Sequence, residues 1–185
     1  MKILAIYGSN YGQAEAVLRR IAAALQARGH AVTIFKGDAL PAALAVEDYD
    51  AVVVAASIVV GRYQAYIRDF VKRHAATLND RPTAFASVSG GAPETDAAWR
   101  AEAEQHVRDL LAETGWRPRW TAAFAGALRF RRYDPITRFI MKLISRSQGG
   151  PTDTSGDYEF TDWHAVDRYA ASLAEDLSGA GGTGE

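Results

Sequence analysis

Residues 3–12 read Ile3-Leu4-Ala5-Ile6-Tyr7-Gly8-Ser9-Asn10-Tyr11-Gly12, a short apolar run followed by a loop with a glycine at each end. The apolar run is continuous rather than alternating, which is typical of a strand covered on both faces of a parallel sheet. A helical pattern starts near Gln13, continues to Leu25 and is followed by Gly29 as a stop signal. A strand, a glycine loop and a helix in this order predict the first unit of an α/β fold.

The same alternation of strand and helix continues along the chain. Four more apolar runs predict strands at residues 32–35, 51–56, 83–88 and 121–125. The apolar positions of the further helical patterns are Tyr63, Tyr66, Ile67, Phe70 and Val71, then Trp99, Ala103, His106, Val107, Leu110 and Leu111, and finally Val166, Tyr169, Ala170, Leu173 and Leu177. Thr161-Asp162 is expected to cap the last helix. The pattern predicts one doubly wound α/β domain over residues 1–177, with a five-stranded parallel sheet.

The composition is that of an ordinary globular protein: 185 residues, 48% hydrophobic and 23% charged. The absence of cysteine excludes disulfides, cysteine-ligated metal centres and thiol nucleophiles. A net charge of −1 gives no overall field that favours nucleic acid, so no nucleic-acid partner is predicted. The chain opens on the first strand, and no apolar run is long enough for a membrane span. Residues 178–185 contain four glycines and are predicted to form a disordered tail.

The first loop, residues 8–12, is a candidate anion site. Such a loop directs backbone N–H groups and a helix N-terminus at one point, although glycines are also what a tight strand–helix turn requires. The spacing matches neither a Walker loop nor a dinucleotide fingerprint, which leaves a mononucleotide phosphate. In this class of sheet the ligand is most often flavin mononucleotide, FMN. The predicted phosphate-side residues are Ser9, Asn10, Tyr11, Gly12, Gln13 and Ala14.

Two more loops follow strands and are expected to complete the cofactor site. The second loop (residues 57–63) and the third loop (residues 87–92) combine apolar side chains with glycine backbone, as a flat flavin ring with one polar edge requires. Their predicted cofactor-binding residues are Ser57, Val59, Val60, Gly61 and Tyr63 in the second loop, and Ser89, Gly90 and Gly91 in the third. Simple packing of the loop is the alternative explanation for Val59 and Val60.

A basic amphipathic stretch lies in an extra segment, residues 128–160, which the minimal strand–helix pattern does not need. Between residues 128 and 148 one acidic residue stands against six basic ones, Arg129, Arg131, Arg132, Arg138, Lys142 and Arg146. Pro135 suits the first turn of a helix. The apolar face of that helix would consist of Ile136, Phe139, Ile140, Leu143 and Ile144. This face either packs on its own domain or lies on an anionic bilayer, and the arginines are also suited to an anionic substrate.

Other catalytic constellations are missing from the sequence. The four histidines are scattered without metal-ligand spacing, so no metal site is predicted. No serine lies in a Gly-x-Ser-x-Gly motif, and no catalytic side chain is assigned. Any redox chemistry would therefore be carried by a bound cofactor.

The chain from Ile3 to about Leu173 resembles the flavodoxin-like, menaquinone-dependent protoporphyrinogen IX dehydrogenase family. The resemblance is carried by residues 49–58, Gly61-Arg62-Tyr63, residues 70–75, residues 82–88, Trp116-Arg117-Pro118 and residues 125–129. It continues in the extra segment with residues 139–144, Gly149-Gly150, Thr152-Asp153-Thr154 and Thr161-Asp162-Trp163. Tyr11 and Ala14 stand where flavodoxin-like loops usually carry threonine. Val59-Val60 stands where a basic and an aromatic residue are common.

The resemblance implies an FMN enzyme that oxidises protoporphyrinogen IX to protoporphyrin IX in heme biosynthesis and passes the electrons to a membrane quinone. We infer that the basic helix meets the membrane or the propionates of the substrate. The expected location is cytoplasmic, at the inner face of the cell membrane, and a homo-oligomer is left open. Two alternatives remain: a flavodoxin-type electron carrier or quinone reductase with other partners, and a flavin-free protein that binds membranes or a partner.

Overall fold

A computed structural model describes residues 1–90, 95–147 and 149–180. Its strands are β1 (Lys2–Gly8), β2 (Ala31–Lys36), β3 (Ala51–Val59), β4 (Arg62–Tyr63), β5 (Thr83–Ser89), β6 (Trp120–Ala125), β7 (Ala127–Leu128) and β8 (Tyr158–Glu159). Its helices are α1 (Gln13–Ala27), α2 (Ala65–Arg73), α3 (Ala75–Asn79), α4 (Ala97–Thr114), α5 (Pro135–Ser147) and α6 (Trp163–Ala180). Across these described ranges, none of the helices combines the length and the apolar character that crossing a bilayer requires.

The main sheet has the strand order β2-β1-β3-β5-β6, and all of these neighbours pair in parallel. This confirms the predicted doubly wound, five-stranded parallel sheet. The chain leaves β1 in one direction to form β2 and then returns to form β3 on the other side of β1. The carboxyl ends of β1 and β3 therefore diverge into connections on opposite faces, which opens a crevice suited to a ligand.

Both faces of the sheet are covered by helices, which explains why the strands are continuously apolar. Along β3, Val53 and Ala55 face a core shared with α1 and α6, whereas Val52 and Val54 face a core shared with α2 and α4. Successive side chains of a strand point to opposite faces, so each apolar position has a helix to pack against.

The extra segment forms a small addition at the carboxyl edge of the sheet. Its two short strands, β7 and β8, pair with each other in antiparallel orientation and enclose a helical stretch that ends in α5. A separate apolar cluster holds this addition together, and its buried members are Leu128, Phe130, Tyr133 and Met141. Tyr11 of the first loop packs against this cluster, so the addition is attached directly to the crevice.

Three local expectations can be compared with the structure. Asp162 caps α6 as predicted, because its carboxylate accepts the N–H groups of His164 at 2.9 Å and Ala165 at 3.1 Å. The second helix does not include Tyr63, which lies in β4, because α2 starts at Ala65. The predicted tail starts too early, since α6 continues to Ala180; residues 181–185 lie outside the described residues.

Gly8, at the end of β1, is expected to tolerate no side chain. A Cβ atom there would lie 2.5 Å from Ile67 Cγ1 and 2.6 Å from Gln64 Oε1, and Ile67 is fully buried. Gly8→Ala should lower the free energy of unfolding by about 1–3 kcal/mol because α2 would have to move. Urea denaturation measures this. The control is Gly156→Ala, since a Cβ at Gly156 meets nothing within 4 Å. Equal stability of the two variants would contradict the prediction.

Candidate functional site

Two adjoining clefts lie at the carboxyl ends of β1, β3 and β5. The first cleft runs along the first loop and is lined by Ser9 and Gln13. The second cleft lies between the second loop and α4 and is lined by Val60 and Trp99. The two clefts share lining residues, which are Ile58, Gly90 and Met141. Met141 belongs to α5, so this helix roofs both clefts.

The first loop leads into α1 through a left-handed residue. Gly12 has φ 93° at the N-cap position, and no side chain caps the helix. Ser9 Oγ accepts the N–H of Gly12 at 2.9 Å and thereby holds the loop closed. The first N–H groups of a helix have no partner within the helix, and they carry its partial positive charge. The start of α1 is therefore arranged as an anion site.

A polar junction ties the start of α1 to the extra segment. Gln13 Nε2 donates to Thr161 Oγ1 at 2.8 Å and to Glu159 Oε1 at 3.2 Å, and Gln13 Oε1 accepts from Arg129 Nη2 at 3.0 Å. Arg129 also pairs with Glu159 at 3.0 Å. Burial alone raises the pKa of Glu159, but hydrogen bonds from Trp163, Gln13 and Arg129 outweigh it and lower the pKa. Glu159 is therefore a stable anion that fixes Arg129 beside α1.

The second loop is a strained hairpin turn. The turn between β3 and β4 consists of Val60 and Gly61, with φ values of 50° and 73°. Positive φ at both positions is typical of a type I′ turn, and a β-branched residue is disfavoured there. The side chain of Val60 is nevertheless 52% exposed and lines the second cleft. The turn thus holds an apolar side chain at the mouth of the cleft at a conformational cost.

Two residues that line the second cleft each have a buried polar atom without a hydrogen-bond partner among the residues that the structure describes. They are Ser89 Oγ, in a residue that is 8% exposed, and Trp99 Nε1. Buried polar atoms are nearly always paired, and leaving one unpaired costs stability. A ligand with polar atoms along one edge would satisfy both groups. This end of the site is therefore suited to a flat ring with a polar edge.

Most of the predicted cofactor-binding residues converge on the clefts. The first cleft is lined by Ser9, Tyr11, Gln13, Ser57, Val59 and Gly90, and the second by Val60, Gly61, Ser89 and Gly90. Asn10 is exposed and accepts the Gln64 amide at 3.3 Å. The methyl group of Ala14 is buried in the α1 core, so this residue offers only its backbone. Gly91 lies outside the described residues.

The structure does not bring Tyr63 to either cleft, which corrects its predicted contact with the cofactor. The residue is only 7% exposed, its hydroxyl lies 2.8 Å from Ser87 Oγ, and its ring meets Phe85 edge-on. Burial raises the pKa of Tyr63. Because β4 turns back along β3, the ring points into the core shared with α2 instead of lining the crevice.

Sequence reasoning missed several residues that line the clefts: Ile58, Trp99, Tyr133 and Met141. Met141 lies on the side of α5 opposite the predicted apolar face, and no periodicity indicated its position. Trp99 carried a usable signal, because an aromatic residue in the first turn of the helix after the third loop lies close to any ligand of that loop.

The helix α5 packs only part of its predicted apolar face on its own domain: Ile144 contacts the cluster of the extra segment, whereas three other residues of the face are exposed. Ile136, Phe139 and Leu143 are 73%, 63% and 50% exposed, whereas Met141 and Ser145 are buried on the opposite side. The interpretation of this face as a core contact is therefore wrong for those three residues. The reason is that the body of the domain already has its core, and only one side of α5 reaches it.

The six basic residues have different environments. Arg138 is half-buried, and its guanidinium donates to the carbonyls of Phe130 at 2.9 Å and Tyr133 at 3.0 Å, so part of it is already engaged within the extra segment and is not free for the predicted substrate or membrane contact. Arg131 donates to Ser155 O, and Arg132 donates to Tyr11 O. Arg129 belongs to the polar junction described above. Lys142 and Arg146 are exposed beside the apolar face.

Comparison with known proteins first identifies the general class to which this protein belongs. Residues 4–155 match the family model of the flavodoxin domain. A flavodoxin from the domain Archaea has the same fold, with a TM-score of 0.54 at 14% identity over 96% of this chain and 99% of that chain. The protein therefore contains a flavodoxin domain, which implies a flavin cofactor. The uncapped start of α1, Ser89 Oγ and Trp99 Nε1 fit such a group.

Two relatives identify the family more closely. The protoporphyrinogen IX dehydrogenase (quinone) of Escherichia coli strain K12 is 41% identical over 128 residues, 69% of this chain and 70% of that protein. The enzyme of the same name from Leishmania major is 32% identical over 177 residues, 94% of this chain and 74% of that protein. The chain belongs to the protoporphyrinogen IX dehydrogenase (quinone) family and is an oxidoreductase.

The strain at Val60 generates a stability prediction. Val60→Asn should raise the free energy of unfolding by about 1 kcal/mol, because asparagine tolerates the left-handed backbone and Asn-Gly is favoured in this turn. Urea denaturation of the flavin-free protein measures the change. Val59→Asn, in the extended strand β3, is the matched control and should lower stability. A loss of stability in Val60→Asn would mean that the contacts of the valine outweigh its strain.

Proposed function

We propose that this protein uses FMN to oxidise protoporphyrinogen IX to protoporphyrin IX, in heme biosynthesis, and passes the electrons to a membrane quinone. One observation carries the proposal: the cofactor-type crevice is roofed by α5, and the far side of that helix is apolar and bordered by cations. Such a roof suits an enzyme that works against a lipid surface. The names of the relatives support this choice of substrate and acceptor.

The residues that line the clefts suggest which groups of the protein would contact each part of FMN. The backbone of the first loop and the start of α1 would hold the phosphate, and Ile58, Val60 and Met141 would flank the ring. Ser89 Oγ and Trp99 Nε1 would meet its polar edge. When bound, FMN supplies the ability to accept an electron pair from the substrate and release it to a quinone.

The protein's own contribution is to orient the substrate and to exclude water. Met141 and Ile144 of α5 cover the second cleft, and Val60 stands at its mouth. His106 and Glu102 line the same cleft, with His106 Nε2 3.6 Å from Glu102 Oε1. A neutral His106 imidazole at this position would be placed to receive a proton that leaves a substrate bound there, with the Glu102 carboxylate beside the resulting cation. The exposed arginines of the extra segment are suited to the propionates of a porphyrinogen.

We assign the outer face of α5 to an anionic bilayer. The apolar residues Ile136, Phe139 and Leu143 are exposed, and Lys142 and Arg146 lie beside them. An exposed apolar stripe bordered by basic residues is the pattern of a helix that lies in a membrane interface. Binding there would place the protein at the inner face of the cell membrane, on the cytoplasmic side, where a lipid-soluble quinone is within reach of the second cleft.

The function is tested on purified protein loaded with FMN and freed of unbound flavin. Flavin absorbance should stay with the protein, and addition of protoporphyrinogen IX and a quinone should produce protoporphyrin fluorescence. Retained flavin with no porphyrinogen turnover would contradict the dehydrogenase. If NAD(P)H or a reductase nevertheless reduces that flavin, the electron carrier or quinone reductase is favoured. A colourless protein that retains no FMN would favour the flavin-free binding protein.

Membrane contact is tested by sedimentation with phosphatidylglycerol vesicles, and neutral phosphatidylcholine vesicles serve as the comparison. A basic residue near an anionic surface contributes about 1 kcal/mol, so Lys142→Glu with Arg146→Glu should weaken binding more than about tenfold. Phe139→Asp should also weaken it. The control is Arg108→Glu with Arg168→Glu, which changes the net charge equally at exposed positions outside α5. Unchanged binding of the α5 variants would refute the assignment.

A further inference from the structure

We propose that Arg132 binds the phosphate of FMN and gives the protein its preference for FMN over riboflavin. This inference rests on the proposed function, since it requires the flavin to occupy the clefts. It assigns to the extra segment a role in cofactor binding in addition to its role as a roof. The ligand chemistry is that of a phosphate monoester dianion next to a guanidinium.

The position of Arg132 is the first observation. Its Nη1 donates to Tyr11 O in the first loop at 3.2 Å. The same nitrogen lies 3.6 Å from where a Cβ atom on Gly12 would stand. Gly12 is the N-cap residue of α1, so the guanidinium lies beside the N-terminus of that helix. A guanidinium has five N–H donors in a fixed fork, and one contact to Tyr11 leaves others for an anion.

The charge at this position is the second observation. A cation beside the positive end of a helix is unfavourable unless an anion lies between them. Arg129 also reaches α1, but Glu159 neutralises it at 3.0 Å. Within the part of the chain that the structure describes, Arg132 has no carboxylate within 4.0 Å. Its charge and the helix N-terminus therefore both favour an anion at the first loop.

The side chains of the first loop are the third observation. Ser9 Oγ accepts the N–H of Gly12 and keeps its own O–H as a neutral donor, and Tyr11 packs edge-on against Tyr133 at 4.5 Å. The methyl group of Ala14 lies in the core and carries no donor. The side chains of the first loop thus supply only neutral donors, since residues 8–14 contain no lysine or arginine. Arg132 adds a charge-assisted hydrogen bond for a doubly charged phosphate, and such bonds are stronger than neutral ones.

Arg132 is held in place by the extra segment. It ends the short turn Phe130–Arg132, and Phe130 is fully buried in the cluster beneath α5. Any displacement of that cluster would also displace the guanidinium. We therefore expect phosphate binding and the packing of α5 over the clefts to stabilise each other.

The test compares FMN with riboflavin, which is the same ring without the phosphate. Dissociation constants are measured by quenching of flavin fluorescence as protein is added. Arg132→Ala and Arg132→Gln should weaken FMN binding about tenfold and change riboflavin binding by less than about twofold. Arg132→Lys keeps the charge and should retain part of the preference. Added KCl should weaken FMN binding less in Arg132→Gln than in the unaltered protein.

Arg131→Ala is the matched control. It removes the same charge one residue away, but its guanidinium donates to Ser155 O rather than to the first loop. This variant should keep the full preference for FMN. An unchanged ratio of the two affinities in Arg132→Gln would overturn the inference, as would an equal loss of both flavins. If the unaltered protein binds neither flavin, the proposed function itself fails, and that result differs from every outcome above.

Discussion

The parallel pairing of β1 with both β2 and β3 is the constraint on which the rest of the structure depends. Each parallel connection must cross a face of the sheet, and the two connections that leave the centre of this sheet cross opposite faces. The ends of β1 and β3 therefore cannot be closed by their own loops. Gly8 lets α2 pack tightly against the end of β1, and the crevice above it is what the first and second loops surround.

The extra segment converts this crevice into a covered site. It is joined to α1 by a part-buried polar junction rather than by apolar contact alone, with Gln13 hydrogen-bonded to Arg129 and Thr161. Polar partners with fixed geometry specify one orientation, whereas apolar packing tolerates sliding. The orientation matters because α5 must bury Met141 over the clefts and leave Phe139 exposed on its other side.

Local features that disfavour the isolated fold collect around the clefts. Val60 adopts a left-handed backbone, Ser89 Oγ and Trp99 Nε1 are buried without hydrogen-bond partners among the described residues, and Arg132 lies beside a helix N-terminus. Each feature has a cost that a bound ligand would reduce, through an apolar surface, polar edge atoms or an anion. Their convergence on one crevice is a stronger indication of a ligand than any one of them, because they arise from unrelated parts of the chain.

The sequence by itself determined the fold class and predicted most of the loop residues that line the two clefts. Continuous apolar runs such as residues 51–56 are characteristic of a doubly covered strand, and residues 8–12 show a loop and helix start whose backbone geometry is local. Only the tertiary structure decided the points that the local sequence pattern leaves open. The periodicity of α5 shows that one side is apolar but not which side meets the domain, and the same pattern suits a core or a membrane. Tyr63 had the residue type for stacking, yet the return of β4 turned it inward. Arg132 and Tyr11 are far apart in sequence, so only the docking of the extra segment brings the guanidinium to the first loop.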